Sequence, residues 1–228
     1  MSNMVEQVHA QQRQFVTDAS HELRTPLTGL RLRLEEARMH PSQTDLCELI
    51  RHTLRQVDRI QDIISDLLVL VRLDVGANDV PVIFDLADFV VDEVGKRADG
   101  LPIHLNLEQG LIVDGMIGDL ARLLGNLLDN AQRHGRSAVQ VTVRSEEDKV
   151  VVTVDDDGPG IPAEERDRVF GRFSRTDSAR SRQLGGAGLG LAIAQGIARA
   201  HNGTLTVRAS DMGGAQLMLQ LPRFSSSR

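Results

Sequence analysis

One histidine in the sequence has neighbours that suit it for nucleophilic chemistry. His21 is followed directly by Glu22, and Ala19 and Leu23 place it on the solvent side of a predicted helix. Because the pKa of a free histidine is near ~6.5, its ring is mostly neutral at neutral pH and can attack an electrophile. Glu22 can accept one ring proton and hold the tautomer that leaves the other nitrogen free. Pro26 removes a backbone donor and is expected to kink or loosen the helix beside His21. Taken alone, an exposed histidine is more often an ordinary surface residue.

A pair of amides forms the second segment of interest. Asn126 and Asn130 are four residues apart, so both side chains lie on one face of a predicted helix. An amide oxygen is a suitable ligand for Mg²⁺, which usually keeps several waters and phosphate oxygens. Arg133 lies next to that face, within reach of a phosphate. The alternative is a solvated helix with two asparagine caps.

Three acids follow a predicted strand and lead into glycines, in the segment Asp155-Asp156-Asp157-Gly158-Pro159-Gly160. The glycines let the backbone approach a flat ligand, and Asp156 can accept a hydrogen bond from an exocyclic amine. Three acids also suggest a metal site, but an adenine-binding carboxylate needs only one of them. An acidic β-turn is the remaining alternative.

A glycine-rich run, Gly185-Gly186-Ala187-Gly188-Leu189-Gly190, opens a helix further along the chain. Backbone amides at a helix N-terminus bind anions. The run is not a P-loop, because no Lys-Ser or Lys-Thr follows, and it is not a dinucleotide fingerprint, because the residues before it are polar. The arginine-rich stretch 168–182 between the acids and the glycines predicts a long lid over phosphates, with a basic surface loop as the alternative.

In this order, the segments resemble the N, G1, F and G2 boxes of the ATP-binding domain that histidine kinases share with gyrase, the Hsp90 chaperone and MutL. The stretch from Phe15 to Thr28 resembles the H box of the commonest histidine kinase class. The resemblance covers most of the chain and implies the core of a sensor histidine kinase. The chain departs from the family near Gly213-Gly214-Ala215-Gln216, which lacks the threonine and the aromatic residue often found there. Ser174 also stands where many members carry tyrosine.

The resemblance implies roles for the residues of the H box. His21 would be the phosphoacceptor and Glu22 the general base, with Arg24 assisting at the phosphate. Thr25 would orient the water that dephosphorylates the partner protein.

The resemblance also implies an ATP site. Asn130 would bind Mg²⁺, Asp156 would bind the adenine amine, and Arg175 would meet the γ-phosphate. The other residues implied at the nucleotide are Asn126, Arg133, His134, Gly158, Gly160, Phe170, Arg172, Gly186, Gly188, Leu189 and Gly190.

Two long helices must carry His21. They are predicted over 4–39 and 42–74, joined at Pro41, with Ser42 and Asp45 as a capping box. In the second helix, apolar residues recur in steps of four and three, a pattern that we call the α2 seam. The α2 seam comprises Leu46, Ile50, Thr53, Val57, Ile60, Ile64, Leu67 and Val71. With its flanking apolar residues it is wider than one hairpin can cover, which predicts a four-helix bundle built from two chains.

The rest of the chain mixes two periodicities. Strands are predicted over 103–107, 139–143, 150–154, 204–207 and 216–221, and helices over 84–97, 118–133 and 189–201. The predicted fold class is therefore an all-α helical hairpin in a dimeric four-helix bundle, followed by an α+β sandwich. We predict a hairpin domain over 1–75, a linker over 76–80, an ATP-binding domain over 81–223 and a disordered tail over 224–228.

Composition excludes other classes of protein. The net charge of −6 argues against nucleic-acid binding. The single cysteine, Cys47, excludes an intramolecular disulfide, and its apolar helical surroundings predict a small buried thiol. No stretch approaches the ~18 apolar residues of a membrane span. The polypeptide is cytosolic in character, and the family resemblance alone implies an N-terminal sensor region in a bacterial inner or plasma membrane.

The predicted function is ATP-dependent autophosphorylation of His21 in a homodimer. The phosphoryl group would then pass to an aspartate in the receiver domain of a separate response regulator, and the protein would also act as a phosphatase on that regulator. One alternative is an ATP-driven conformational machine, which leaves the H box unexplained. The other is a dimeric scaffold that binds nucleotide without transferring it.

Overall fold

The computed structural model describes residues 2–43, 45–75, 80–97, 99–174 and 188–224. The chain divides into two compact units, Met1–Val71 and Arg72–Arg228. Most of the predicted linker and tail, at 76–79 and 225–228, lies outside the described residues, so the predicted domain boundaries stay a prediction. Within the part that is described, no helix is both long enough and apolar enough to span a bilayer.

The first unit is a helical hairpin, as predicted. Helix α1 spans Ser2–Met39 and helix α2 spans Leu46–Val75, with a 3-10 turn over Pro41–Gln43 between them. Pro26 lies inside α1, which continues on both sides of it, so the proline does not end the helix.

The start of α2 differs from the prediction. The side chain that caps it belongs to Asp45, whose Oδ1 accepts hydrogen bonds from the N–H groups of Cys47 and Glu48 at 2.9 and 3.1 Å. Ser42 lies in the preceding 3-10 turn, so the capping box of Ser42 with Asp45 is wrong. Aspartate is among the best N-caps, and here it satisfies two amides that the helix itself leaves unpaired. Cys47 is exposed in the single chain rather than buried.

Much of the α2 seam is exposed in the single chain. Leu46 is 64% exposed and Ile50 is 50% exposed, whereas Ile63 and Leu70, which flank the seam, are buried. The other large apolar side chains of the hairpin that remain exposed include Leu27, Leu34, Leu54, Val57, Ile64, Leu68 and Val71. One hairpin therefore leaves much of its own apolar stripe uncovered.

The second unit contains two sheets and three helices within the described residues. The strands are β1 (Val82–Asp85), β2 (Ile103–Leu107), β3 (Ile112–Gly115), β4 (Val139–Glu146), β5 (Lys149–Asp156), β6 (Thr204–Ala209) and β7 (Ala215–Pro222). The helices are α3 (Leu86–Gly95), α4 (Ile117–His134) and α5 (Gly190–Ala200). Each helix and strand that the sequence predicts in this part of the chain is present.

The larger sheet is mixed and has the strand order β2-β4-β5-β7-β6, with β2 parallel to β4 and the other pairs antiparallel. Alternate residues of a strand share a face. Val152 and its neighbours Val143 and Leu219 form one buried row on the face against which α4 and α5 pack. This is the predicted α+β sandwich, and β5 at its centre ends at Asp156.

The smaller sheet pairs β1 antiparallel with β3. Neither strand was predicted from the sequence, and the helix that follows β1 begins at Leu86 instead of the predicted residue 84. The reason is Asp85, which ends β1 and caps α3 by accepting a hydrogen bond from Ala87 N at 2.8 Å. Its second oxygen accepts from Gly110 N at 2.7 Å and ties the loop before β3 to the cap.

Candidate functional site

The predicted H box lies on the surface of α1. His21, Arg24 and Thr25 are exposed, Glu22 is half-buried, and Pro26 is buried. The Thr25 hydroxyl donates a hydrogen bond to the main-chain oxygen of His21 at 3.1 Å. The structure therefore leaves the His21 ring open to solvent, as the position of Ala19 and Leu23 predicts.

The two amides of the N box lie on α4 of the second unit. The carboxamide nitrogen Nδ2 of Asn126 is buried and has no hydrogen-bond partner among the described residues. Gly190, the first residue of α5, packs against the same side chain, because a Cβ built on it would lie 3.3 Å from Asn126 Oδ1. A buried donor without a partner costs free energy, so Asn126 is suited to meet a polar ligand.

The remaining α4 residues of the predicted site lie one turn further along. Asn130 and His134 are half-buried and Arg133 is exposed. Gln132, which the sequence analysis missed, anchors this turn by bonding both backbone groups of Leu101, at 2.6 Å to N and 2.9 Å to O. Its long-range partner is 31 residues away, so no local signal could have found it.

The three acids at the end of β5 have three different partners. Asp155 is buried and accepts hydrogen bonds from Ser210 Oγ at 2.8 Å and Gln216 Nε2 at 3.0 Å. Asp157 binds the connection between α4 and β4, through Arg136 and Ser137. They do not converge, and within the described residues no group of three histidine, cysteine or acidic side chains is placed to hold a metal ion. The acids therefore do not form the metal site that their spacing suggested.

Asp156 is the acid that lies in the site, and it is only 2% exposed. Its Oδ1 accepts from Gly158 N at 2.8 Å and from Ala215 N at 3.2 Å. Both bonds end on one oxygen, so Oδ2 keeps its capacity to accept a hydrogen bond from a ligand. A buried carboxylate held in this way is suited to bind an amine.

The glycines around Asp156 have no room for a side chain. A Cβ on Gly158 would lie 2.4 Å from the main-chain oxygen of His134, and one on Gly214 would lie 2.2 Å from Asp156 Oδ1. Gly160 has φ +72° and faces the main chain of Gly214. Gly214 is a site residue that the sequence analysis noted only as part of a departing motif. The close approach of these backbones builds a wall without side chains next to the carboxylate.

The segments on either side of 175–187 meet in the structure. Gly188 has φ +73°, and a Cβ on it would lie 2.8 Å from the main-chain oxygen of Ser174. Phe170 ends a 3-10 turn, Arg168–Phe170, whose Val169 is buried, and Arg172 is exposed. Leu189 is buried directly before α5. The other two predicted site residues in this region, Arg175 and Gly186, lie outside the described residues.

His201, which is not among the predicted site residues, joins two elements of this unit. It is buried, with Nδ1 2.8 Å from Ile197 O and Nε2 accepting a hydrogen bond from Met116 N at 3.0 Å. It thereby joins the end of α5 to the residue before α4, and its role is structural.

Two family models match this chain. Residues 115–225 match the histidine kinase-, DNA gyrase B- and HSP90-like ATPases, and residues 11–76 match the His Kinase A (phospho-acceptor) domain. The first match contains the Asn126 and Asp156 site, and the second contains His21.

Individual proteins are similar as well. A protein of Mycobacterium tuberculosis named "Probable sensor histidine kinase TcrY" is 39% identical over 217 residues, which are 92% of this chain and 46% of that protein. The chain spans about half the length of the curated relatives that it matches. The ATP-binding domain of PrrB from Mycobacterium tuberculosis is 30% identical, with a TM-score of 0.52, over 64% of this chain and 100% of that one. The histidine kinase AdeS of Acinetobacter baumannii shares the fold, with 23% identity and a TM-score of 0.74 over 90% of this chain and 98% of that one.

Proposed function

Because this chain belongs to the sensor histidine kinase family, we propose that it uses ATP to phosphorylate its own His21 and passes the phosphoryl group to an aspartate of a separate response regulator. The observation that carries this proposal is the solvent-exposed His21 in a segment that matches the phospho-acceptor model. An ATP-driven machine without a phosphoacceptor, or a scaffold that only binds nucleotide, would leave this histidine without a purpose.

The adenine amine would donate a hydrogen bond to Oδ2 of Asp156. Among the described residues this oxygen has no partner, whereas Oδ1 of the same buried carboxylate already accepts from Gly158 N and Ala215 N. The glycine wall beside it admits a flat ring, and His134 lies at the edge of the same turn. Arg133, Arg172 and Arg175 would bind the phosphates of ATP.

The donor set on α4 fits Mg²⁺ carried by the nucleotide. A magnesium ion keeps several waters and needs few protein ligands, and the amide oxygen of Asn130 is a hard ligand of the right kind. The described residues hold no ready-made metal cluster, which agrees with a metal that enters on the phosphates. When bound, Mg²⁺ would neutralise charge on the β- and γ-phosphates. The unpartnered amide of Asn126 would donate to a phosphate oxygen or to a bound water.

In the transfer step, one neutral ring nitrogen of His21 forms a bond to the γ-phosphorus. The bond from that phosphorus to the β–γ bridging oxygen breaks, and ADP leaves with the electron pair. Glu22 accepts the proton of the other ring nitrogen, which prevents positive charge from building up on the ring. Arg24 and Arg175 would offset the negative charge of the transferred group.

Helix α1 would also support a second activity, the dephosphorylation of the regulator by water. The Thr25 hydroxyl lies one turn after His21 and donates to its main-chain oxygen at 3.1 Å. That bond uses its proton and leaves the oxygen lone pairs free to accept a hydrogen bond from a water. We therefore assign Thr25 the role of orienting the attacking water.

The working form would be a homodimer. The exposed part of the α2 seam includes Ile50 and Ile64. Large exposed apolar stripes mark interfaces, so another protein surface must shield these side chains from water. A second hairpin supplies a matching stripe and completes a four-helix bundle. The family further suggests that this chain is the cytoplasmic part of a bacterial membrane sensor.

Labelling with γ-labelled ATP and Mg²⁺ tests the proposal. The expected label is lost in acid and stable in base, as for phosphohistidine. His21→Ala should abolish labelling while ATP binding survives, whereas Asn130→Ala should abolish both. Label that persists in His21→Ala would contradict the assignment.

A further inference from the structure

Asp157, the last of the three consecutive acids and the first residue after β5, makes contacts that nucleotide binding does not explain. β4 and β5 pair as far as Val139 opposite Asp156, and there the ladder of backbone hydrogen bonds ends. Asp157 is the next residue, and its carboxylate turns back onto Arg136 and Ser137, which precede β4. The side chain thus continues the contact between the two strands by one more step.

The carboxylate accepts four hydrogen bonds from two residues. Arg136 N donates to Oδ1 at 2.6 Å, and Ser137 N donates to Oδ1 and Oδ2 at 3.1 and 3.0 Å. The Ser137 hydroxyl also donates to Oδ2. With the Ser137 hydroxyl as the largest contribution, these donors hold the pKa of the Asp157 carboxyl well below its usual range, so the carboxylate is charged at neutral pH.

The segment that Asp157 holds directly follows the end of α4. Gly135 caps that helix, and its N–H donates to Ala131 O at 2.8 Å. A Cβ on Gly135 would lie 2.8 Å from the same Ala131 oxygen, so this position has no room for a side chain. Arg136 and Ser137 are exposed, which means that hydrogen bonds rather than apolar packing hold this connection.

The two sides of the nucleotide site meet at this point. Gly158, which follows Asp157, lies against the main-chain oxygen of His134, the last residue of α4. Asp156, which precedes Asp157, is the carboxylate proposed to bind the adenine amine. Asn130, the proposed Mg²⁺ ligand, lies one turn before His134 on α4. The Asp157 side chain therefore links the turn that would bind adenine to the loop after α4, the helix that would bind the phosphates.

We propose that Asp157 is a positioning residue that fixes the last turn of α4 against the turn of Asp156 and Gly158, and so sets the spacing between the adenine and phosphate halves of the site. This inference rests on the ATP site proposed above. Apolar burial is non-directional, so the core residues of α4 hold the helix in its layer without fixing such a distance. The directional bonds of Asp157 supply what the core does not.

The test compares ligands that need one half of the site or both. The dissociation constants of Mg²⁺–ADP and of adenosine are measured by calorimetry and competition on the full chain. Asp157→Ala should weaken Mg²⁺–ADP by about tenfold or more, because it removes several bonds to a charged group. Adenosine should lose much less, so the ratio of the two affinities changes. Asp148→Ala is the matched control, since Asp148 is an exposed aspartate in the turn at the other end of β5.

A conservative variant separates geometry from charge. Asp157→Asn keeps an oxygen for Arg136 N and Ser137 N and offers its amide to the Ser137 oxygen, so it should retain most of the Mg²⁺–ADP affinity. If Asp157→Ala does not fold, as judged by its thermal transition, Ser137→Ala removes only the hydroxyl bond among the four and should show the same change of ratio to a smaller extent.

The outcomes are distinct. An unchanged ratio in Asp157→Ala, whether because both ligands are unaffected or because both weaken equally, would overturn the inference and leave the ATP site intact. A wild-type chain that does not bind Mg²⁺–ADP at all would instead overturn the proposed function, and this inference with it.

Discussion

The main-chain N–H of Ala215 donates a hydrogen bond to Oδ1 of Asp156, with 3.2 Å between the two atoms. Gly158 N donates to the same oxygen at 2.8 Å, and the Oδ2 atom is left for a ligand. The carboxylate is thus oriented by strand β7 and by its own turn before any nucleotide arrives, which lowers the cost of ordering on binding.

Asp156→Asn should abolish tight ATP binding without unfolding the protein. If the amide oxygen takes the place of Oδ1, the new NH₂ group faces the adenine amine, and two donors meet. An unpaired buried donor costs ~1–3 kcal/mol, so ATP should bind about fivefold more weakly or worse. Calorimetric titration measures this, with Asp148→Asn as the control. Wild-type affinity in Asp156→Asn would remove Asp156 from the site.

Gly158→Ala should destabilise the ATP-binding unit. Its Cβ would lie 2.4 Å from the main-chain oxygen of His134, which is backbone and cannot rotate away. Overpacking of this kind costs ~1–3 kcal/mol, and the shift of α4 should weaken nucleotide binding as well.

Gly118→Ala is the matched control for that substitution. Gly118 lies on α4, and a Cβ on it would meet nothing within 4 Å. Alanine there should leave the melting temperature unchanged or raise it, since it favours helix by up to ~1 kcal/mol. Equal effects of the two substitutions in differential scanning calorimetry would show that the close contact is not what matters.

Much of this fold was predictable because its patterns are local. The periodicity of β2 places the strand at Ile103–Leu107, as the structure has it. In contrast, β1 and β3 are four residues each and pair across the intervening helix and strand, so neither carries a pattern of its own. The cap of α2 was misassigned because Ser42 and Asp45 both have cap chemistry, and only the 3-10 turn over Pro41–Gln43 decides between them.

The candidate site, like the fold, could be predicted from the sequence only in part. Asp156 and Asn126 follow from motif order, but which of three adjacent acids faces the ligand depends on where β5 ends and on what lies beside it. The partners of Asp155, at Ser210 and Gln216, are 55 and 61 residues away. Those of Asp157 are about 20 residues away and become visible only once β4 and β5 are paired.

Thr25→Ala should separate the two activities proposed for α1. Removal of the hydroxyl takes away the acceptor for the attacking water, whereas the His21 ring and its neighbours stay exposed. Autophosphorylation should therefore stay within about twofold of wild type, while dephosphorylation of the phosphorylated regulator falls by about tenfold or more. Release of inorganic phosphate from the regulator measures the second rate. Thr25→Ser keeps the hydroxyl and should keep most of the phosphatase activity, and if it fails as badly as alanine, the hydroxyl is not the active group.

Ile64→Glu should convert the dimer to monomers. Ile64 belongs to the α2 seam and is 45% exposed in the single chain, so a carboxylate there would be buried at the proposed interface without a partner. Analytical ultracentrifugation at micromolar concentration should show a dimer for the wild type and a monomer for the variant. Gln61→Glu adds the same charge at an exposed position of α2 outside the seam and should stay dimeric. A wild-type chain that sediments as a stable monomer would count against the bundle.

The central claim is that His21 receives the phosphoryl group, and mapping the phosphate tests it most directly. Trypsin releases Gln14 to Arg24, a peptide in which His21 is the one histidine and Thr17 and Ser20 are the competing hydroxyls. After reaction with ATP and Mg²⁺ at neutral pH, fragmentation that preserves the phosphate should place it on His21 and should find none in the His21→Ala protein. Phosphate on Thr17 or Ser20, or on a peptide outside this one, would contradict the account.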